Sequence, residues 1–207
     1  MFRAIIAFFF VLLLIDTASA ASKFLPRAFK ASFVQEKKSP ISNKVKTNDI
    51  LIKYQYSSNF YLKELSADTT YICNKTKVWL YSPPLFDGEK GLLKIGASNK
   101  YCYSKIFDSL KKGLTDNSLY KVKKGSNNSY TISFEPKAKA QLGISKMNMV
   151  FLKTDYTFQN ISSLELFYTG EKFPVILKRK SFDVVKNFPK STFTFKAPKN
   201  TEIQSMK

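Results

Sequence analysis

The chain has 207 residues, of which 34 are lysine or arginine and 15 are aspartate or glutamate, giving a formal net charge of +19. Hydrophobic residues make up 44%, aromatics 15%, and there are only 7 glycines, which excludes a disordered chain. There is no histidine, which excludes imidazole acid–base chemistry and Ser-His or Cys-His nucleophile pairs.

The chain begins with the pattern of a secretory signal. Arg3 supplies a positive start, Ala4 to Ile15 an apolar core, and Ala18-Ser19-Ala20 a small-x-small cleavage site. The apolar run falls short of the roughly 20 residues that span a bilayer. Residues 1–20 are therefore expected to be removed, leaving residues 21–207 as a single soluble domain in the periplasm. No cysteine follows the cleavage site, so the new N-terminus is not one that is acylated as in a bacterial lipoprotein.

From Phe29 onward the sequence reads as short strands separated by polar turns. Phe29, Ala31 and Phe33 alternate with Lys30, Ser32 and Val34; Ile50, Ile52, Tyr54 and Tyr56 alternate with Leu51, Lys53 and Gln55. Ser42 to Asn48 reads as a polar connection. Phe60 to Leu65 forms the next strand. Thr70 to Cys73 and Val78 to Tyr81 flank the turn Asn74-Lys75-Thr76-Lys77, and Ser82-Pro83-Pro84 ends that hairpin. Val78 and Leu80 share one face, Trp79 and Tyr81 the other, so neither face is polar and the hairpin suits a sheet covered on both sides. Pro83 to Lys100 reads as irregular.

Tyr101 to Leu114 is the one clear helix, with Tyr103, Ile106, Phe107, Leu110 and Leu114 at intervals of three and four and Gly113 at its end. Strands resume at Tyr120–Lys124 and Tyr130–Phe134 around Gly125-Ser126-Asn127-Asn128. Pro136 to Gly143 reads as a loop rich in Lys and Ala. Met147–Lys153, Ile161–Tyr168 and Pro174–Phe182 are three further strands, and Phe193–Phe195 closes the set. About ten strands and one helix indicate an antiparallel α+β domain, whose apolar sheet face must curl or be covered.

Cys73 and Cys102 are the only cysteines, and in an exported protein they form either a disulfide or two buried thiols. Two cysteines without histidine are too few for a zinc site. No close carboxylate pair and no Gly-rich phosphate loop is present, so the chain reads as a protein without enzyme activity, metal or cofactor. The positive charge fits anionic phospholipid head groups, an acidic docking surface, or a solvated lysine-rich exterior; the export signal argues against nucleic acid.

Four stretches resemble, in order, segments of the LolA family, the periplasmic carriers of outer-membrane lipoproteins. Phe29-Lys30-Ala31-Ser32-Phe33-Val34-Gln35 is similar to F-x-A-x-F-x-Q. Val78-Trp79-Leu80-Tyr81-Ser82-Pro83 is similar to (L/V)-W-x-Y-x-P. Phe134-Glu135-Pro136-Lys137 is similar to L-x-P-K, and Phe193-Thr194-Phe195-Lys196-Ala197-Pro198 to F-x-F-x-x-P. The resemblance spans nearly all of residues 21–207. It implies an unclosed antiparallel β-barrel of about eleven strands with a helical lid over an apolar cavity for acyl chains.

On that reading the cavity is lined by Phe33, Ile50, Ile52, Phe60, Leu62, Tyr71, Trp79, Ile132, Phe134, Met149, Phe151 and Leu166, which also fit an ordinary filled core. The helix around Ile106, Phe107 and Leu110 is the lid element, and glutamate at Phe107 or Leu110 is expected to abolish cargo binding in a folded protein. The implied partners are acylated lipoproteins, an ATP-driven release complex in the inner membrane and a receptor in the outer membrane, with the carrier a monomer. A LolA-fold protein for another lipid or glycolipid is the alternative. Two departures stand out. Only Ala21 to Ala28, with Pro26 among them, precede the first strand where the family has a helix of about a dozen residues. The family's strand Arg-Pro pair, which ties strand to lid, is replaced by Tyr54-Gln55 or Tyr56-Ser57, so lid closure must rest on something else or be weaker.

Overall fold

A computed structural model describes residues 24–206. The expected signal peptide and residues 21–23 lie outside the described residues. Among the described residues, twelve strands form one sheet: β1 (Ala28–Lys38), β2 (Val45–Gln55), β3 (Asn59–Glu64), β4 (Thr69–Cys73), β5 (Lys77–Ser82), β6 (Gly91–Ala97), β7 (Tyr120–Lys124), β8 (Ser129–Phe134), β9 (Ile144–Phe151), β10 (Ile161–Tyr168), β11 (Val175–Val184) and β12 (Thr201–Ser205).

Their spatial order is β12-β6-β5-β4-β3-β2-β1-β11-β10-β9-β8-β7. Two antiparallel meanders, β1 to β6 and β7 to β11, are thus joined where β1 lies beside β11. Of these twelve strands, β12 alone runs parallel to its neighbour, β6. The edges β12 and β7 do not pair, so the sheet curls without closing. Three short helices among the described residues stand at the break and over the concave face: α1 (Ser98–Tyr101), α2 (Ser104–Leu110) and α3 (Pro136–Leu142).

Strand alternation sets the two faces. In β1, Phe29, Ala31 and Phe33 are buried while Lys30 is exposed and Ser32 half-buried. Across β2 the same face carries Ile50, Ile52 and Tyr54, all buried. In the hairpin β4–β5, Tyr71 lies opposite Leu80 and Ile72 opposite Trp79. The outer face of this hairpin is also covered, as its lack of polar residues suggests. The C-terminal segment crosses it, with the Phe193 carbonyl accepting from Asn74 Nδ2 at 3.1 Å and the Phe195 ring 5.1 Å from that of Tyr81. Ile72 is buried beneath it.

Several elements differ from the sequence reading. The stretch read as irregular contains β6 and α1. Its glycines mark close approaches: a Cβ on Gly91 would meet Tyr81 Oη at 2.7 Å, and one on Gly96 would meet Met206 Sδ at 2.8 Å. The long helix expected from Tyr101 to Leu114 is broken at Cys102, which is extended (φ −79°, ψ 120°), so that α2 covers only Ser104–Leu110. Gly113, with φ +80°, does turn the chain after it.

Pro136–Leu142 is a helix, not a loop. Proline occupies its first turn, Ala and Lys fill it, and Gly143 (φ +67°) ends it in the left-handed conformation. The closing strand is not Phe193–Phe195, where the chain leaves a 3-10 turn (Lys190–Phe193). It is the later β12, whose residues find a parallel partner in β6.

The polar connection expected over Ser42–Asn48 is largely strand. β1 and β2 pair as far as Lys38 with Val45, and the tip closes through Ser39 N–H to Lys44 O (2.9 Å) and Asn43 N–H to Ser39 O (3.1 Å). The last backbone bond from β2 to the β3 side is Leu65 N–H to Asp49 O. Val45–Asn48 therefore project beyond it by roughly 13 Å at about 3.3 Å per residue.

Candidate functional site

The concave face of the sheet and α2 enclose a cavity of about 660 Å³, within the range of roughly 300–1,000 Å³ usual for small-molecule sites. Ile50, Ile52, Phe60, Leu62, Tyr71 and Leu80 line it from β2 to β5. Met147, Leu164, Leu166, Val175 and Leu177 line it from β9 to β11. Ile106, Phe107 and Leu110 of α2 form its roof.

Polar side chains gather at one end, where Gln35, Lys37, Glu64, Thr69, Thr169 and Glu171 reach the same space. These come from the end of β1, the end of β3, the start of β4 and the β10–β11 connection. Antiparallel order places all of these at one end of the sheet. The site is an apolar chamber with a polar rim.

Six of the twelve residues expected on the cavity wall line it: Ile50, Ile52, Phe60, Leu62, Tyr71 and Leu166. Six do not. Trp79 faces outward because register puts Leu80, not Trp79, across from Tyr71. Ile132, Phe134, Met149 and Phe151 belong to the β8–β9 part of the sheet, which is filled. There Phe134 packs on Tyr120 (centroids 5.8 Å apart), and Phe151 on Phe24, Tyr130 and Tyr156 (6.3, 5.9 and 5.5 Å). Phe33 is buried in the core without lining the space.

The three lid residues, Ile106, Phe107 and Leu110, are where they were expected. Leu80, Met147, Leu164, Val175 and Leu177 were missed, although Leu164 shares the alternate face of its strand with the expected Leu166, a signal present in the pattern. Phe158 was missed because it lies in a 3-10 turn outside any strand.

The lid is held in four ways. Cys102, just before α2, is disulfide-bonded to Cys73 at the end of β4. The Phe107 ring enters an aromatic cluster, 5.4 Å from Phe60, 5.3 Å from Tyr54, 5.7 Å from Phe29 and 5.9 Å from Phe158. Next to Phe107, Asp108 accepts from Tyr54 Oη (2.8 Å), from Ser58 N–H (3.1 Å) and from Ser104 Oγ (3.5 Å). Beyond the helix, Lys111 Nζ donates to Leu25 O (3.1 Å) and Tyr120 Oη to Gly113 O (2.7 Å).

Lid closure rests in part on Tyr54, whose hydroxyl bond to Asp108 joins β2 to the lid. Burial above all, and then the Asp108 charge beside it, push the Tyr54 hydroxyl far above its usual value, so it stays a donor. Burial likewise raises Asp108 above the usual carboxylate value of 3.8, and its bonds from Tyr54, Ser58 and Ser104 offset part of that rise.

At the break between α1 and α2, Tyr71 Oη donates to the Tyr101 carbonyl and accepts from Tyr103 N–H at 3.1 Å. The residues described before β1, Phe24–Arg27, contain no helix; Phe24 and Leu25 are buried instead against the core. Glutamate at Phe107 or Leu110 is therefore a poor probe. Both side chains are buried, and loss of such a phenylalanine costs about 3–5 kcal/mol even before a charge is added.

Among the described residues no cluster of His, Cys, Asp or Glu is arranged to hold a metal ion, and no helix is long and apolar enough to cross a membrane. No protein-family model matches the chain, and no curated protein matches it. Among solved structures the chain is similar to an uncharacterized conserved protein from Thermus thermophilus. That pair is 11% identical with a TM-score of 0.50, over 90% of this chain and 94% of the other. A LolA superfamily protein, NE2245 from Nitrosomonas europaea, is more distant, at 6% identity and TM-score 0.43 over 84% and 94% of the two chains. At these identities the first likeness is one of fold alone, and the second is too distant to add to it.

Proposed function

We propose that this protein is a carrier that shelters the acyl chains of lipoproteins between membranes. The observation that supports this most is the lidded apolar chamber: a cavity walled by Ile50, Ile52, Leu62, Leu80 and Leu166 and roofed by a helix that is tied to β4 through the Cys73–Cys102 disulfide. Each methylene moved out of water is worth about 0.8 kcal/mol, so an acyl chain does not cross an aqueous space uncovered. The carrier needs no chemical step. It must accept chains at one membrane, exclude water, and release them at another.

In this reading the protein works in the periplasm, loaded by an ATP-driven complex of the inner membrane and unloaded by an outer-membrane receptor. The likeness between the Val78–Pro83 and Phe29–Gln35 segments and the LolA family motifs supports that cargo. With the lid closed, about 660 Å³ favours a single chain, so full lipoprotein loading requires α2 to move. The same size favours, as a second reading, a single-chain lipid as the natural ligand.

The test is release. Purified protein beginning at Ala21 is incubated with spheroplasts of its own organism making labelled lipoproteins. A soluble complex in the supernatant that passes its cargo to outer membranes is the expected result. No release, with free lipid bound instead, would sink the lipoprotein assignment in favour of the second reading.

A further inference from the structure

The β1–β2 hairpin tip has no task inside the fold. Ile41 at its turn is 94% exposed and Val45 57% exposed. Lys37, Lys38, Lys44 and Lys46 surround them, and the one acidic residue between positions 36 and 47, Glu36, is paired with Lys178 at 2.6 Å. The β5–β6 connection, with Leu85 at 85% and Phe86 at 72% exposure, emerges from the same end of the sheet. That end is where the cavity's polar rim lies, Lys37 being part of both.

We propose that this hairpin is a docking finger that sets the mouth of the cavity on an anionic phospholipid surface. An aliphatic tip collared by lysines matches the layering of a bilayer surface, with apolar groups at the headgroup–acyl boundary and ammonium groups among lipid phosphates. A protein partner fits less well, because lysine is depleted from protein interfaces and here four lysines collar the apolar tip. The electrostatic attraction resides in the finger, since the β5–β6 loop sets the single Lys90 against Asp87 and Glu89 and is net acidic. Contact at this end would let an amphiphile pass between bilayer and chamber with little exposure to water. The docking itself does not depend on what the chamber holds.

Protein beginning at Ala21, the expected start after cleavage, is tested by vesicle flotation. The vesicles are equal parts phosphatidylglycerol and phosphatidylcholine, or phosphatidylcholine alone. Binding is expected to the anionic vesicles, to weaken with added salt, and to be marginal on the zwitterionic ones. Ile41→Ser/Val45→Thr and Lys44→Gln/Lys46→Gln each replace exposed side chains, and each is expected to weaken binding about tenfold or more at an unchanged thermal midpoint. Absence of wild-type binding to anionic vesicles, or equal binding by wild type and Ile41→Ser/Val45→Thr, overturns the proposal. Loss of lipoprotein release in the finger variants without any vesicle binding would assign the finger to a protein partner and overturn it too.

Discussion

Replacing Tyr54 by phenylalanine isolates the tie between sheet and lid. The ring stays, with its contacts to Phe29 at 5.4 Å and Phe107 at 5.3 Å, and only the hydroxyl bonded to Asp108 at 2.8 Å is lost. A hydrogen bond to a charged group contributes about 1.5–3 kcal/mol. Asp108 is half-buried and keeps its bonds from Ser58 and Ser104, so water and these donors recover part of the loss, and the lower figure applies. At about 1.4 kcal/mol per factor of ten, the open lid becomes about tenfold more populated. The assay is amide hydrogen exchange, read separately for α2 and for β1 and β2. The Tyr54→Phe protein is expected to exchange about tenfold faster in α2, with little change in the strands, and to take up a fluorescent fatty acid faster. Unchanged exchange in α2, or an equal rise across the whole sheet, would refute the view that this bond controls the lid.

The disulfide spans a sequence separation of 29 residues, so replacing Cys73 and Cys102 by serine should lower unfolding stability by about 3–4 kcal/mol. A urea midpoint unchanged from wild type would contradict that. Asp108 gives a pH signature, because burial raises its folded value above 3.8: the folded state then holds the proton over a window in which the unfolded state has lost it. Its contribution therefore favours folding at acid pH and declines as pH rises through that raised value. The stability of wild type relative to Asp108→Asn should fall across that window in denaturation series, and a difference constant with pH would remove Asp108 as the source.

The alternation of Phe29, Ala31 and Phe33 and of Ile50 and Ile52 was legible because a strand with one buried face writes its period into the sequence. The hairpin around Asn74–Lys77 was legible for the same reason, helped by its turn residues. Which face points inward was harder. Tyr71 and Trp79 are both large and aromatic, and only the register across β4–β5 reveals that they face opposite ways. β6 was hidden by Gly91 and Gly96, which read as turn signals but serve close packing against Tyr81 and Met206.

Helix α3 carried its own signals, proline at the start and glycine at the end, outweighed in the reading by its lysines. The break at Cys102 follows from tethering to Cys73, a constraint that periodicity cannot express. Filled and hollow parts of the chamber were not separable either. Phe151 and Leu166 look alike in sequence, and only the packing of Phe24, Tyr130 and Tyr156 around Phe151 makes one of them core. The tie between β2 and the lid, a tyrosine hydroxyl on Asp108, could not be read from the pattern, because Tyr54 and Asp108 lie 54 residues apart in sequence.

The central claim is that the space above Leu62 and beneath α2 holds an acyl chain. It is tested most directly by titrating a fluorescent acylated lipopeptide into the wild-type protein and into Leu62→Trp, which fills that space from a half-buried wall position. Trp79→Phe, on the opposite face of the sheet, serves as the control. Saturable binding is expected for wild type and Trp79→Phe, and binding at least about tenfold weaker for a folded Leu62→Trp protein, the free energy of roughly two buried methylenes. Equal affinity in Leu62→Trp and wild type would contradict it, because the chain would then be bound somewhere other than this chamber.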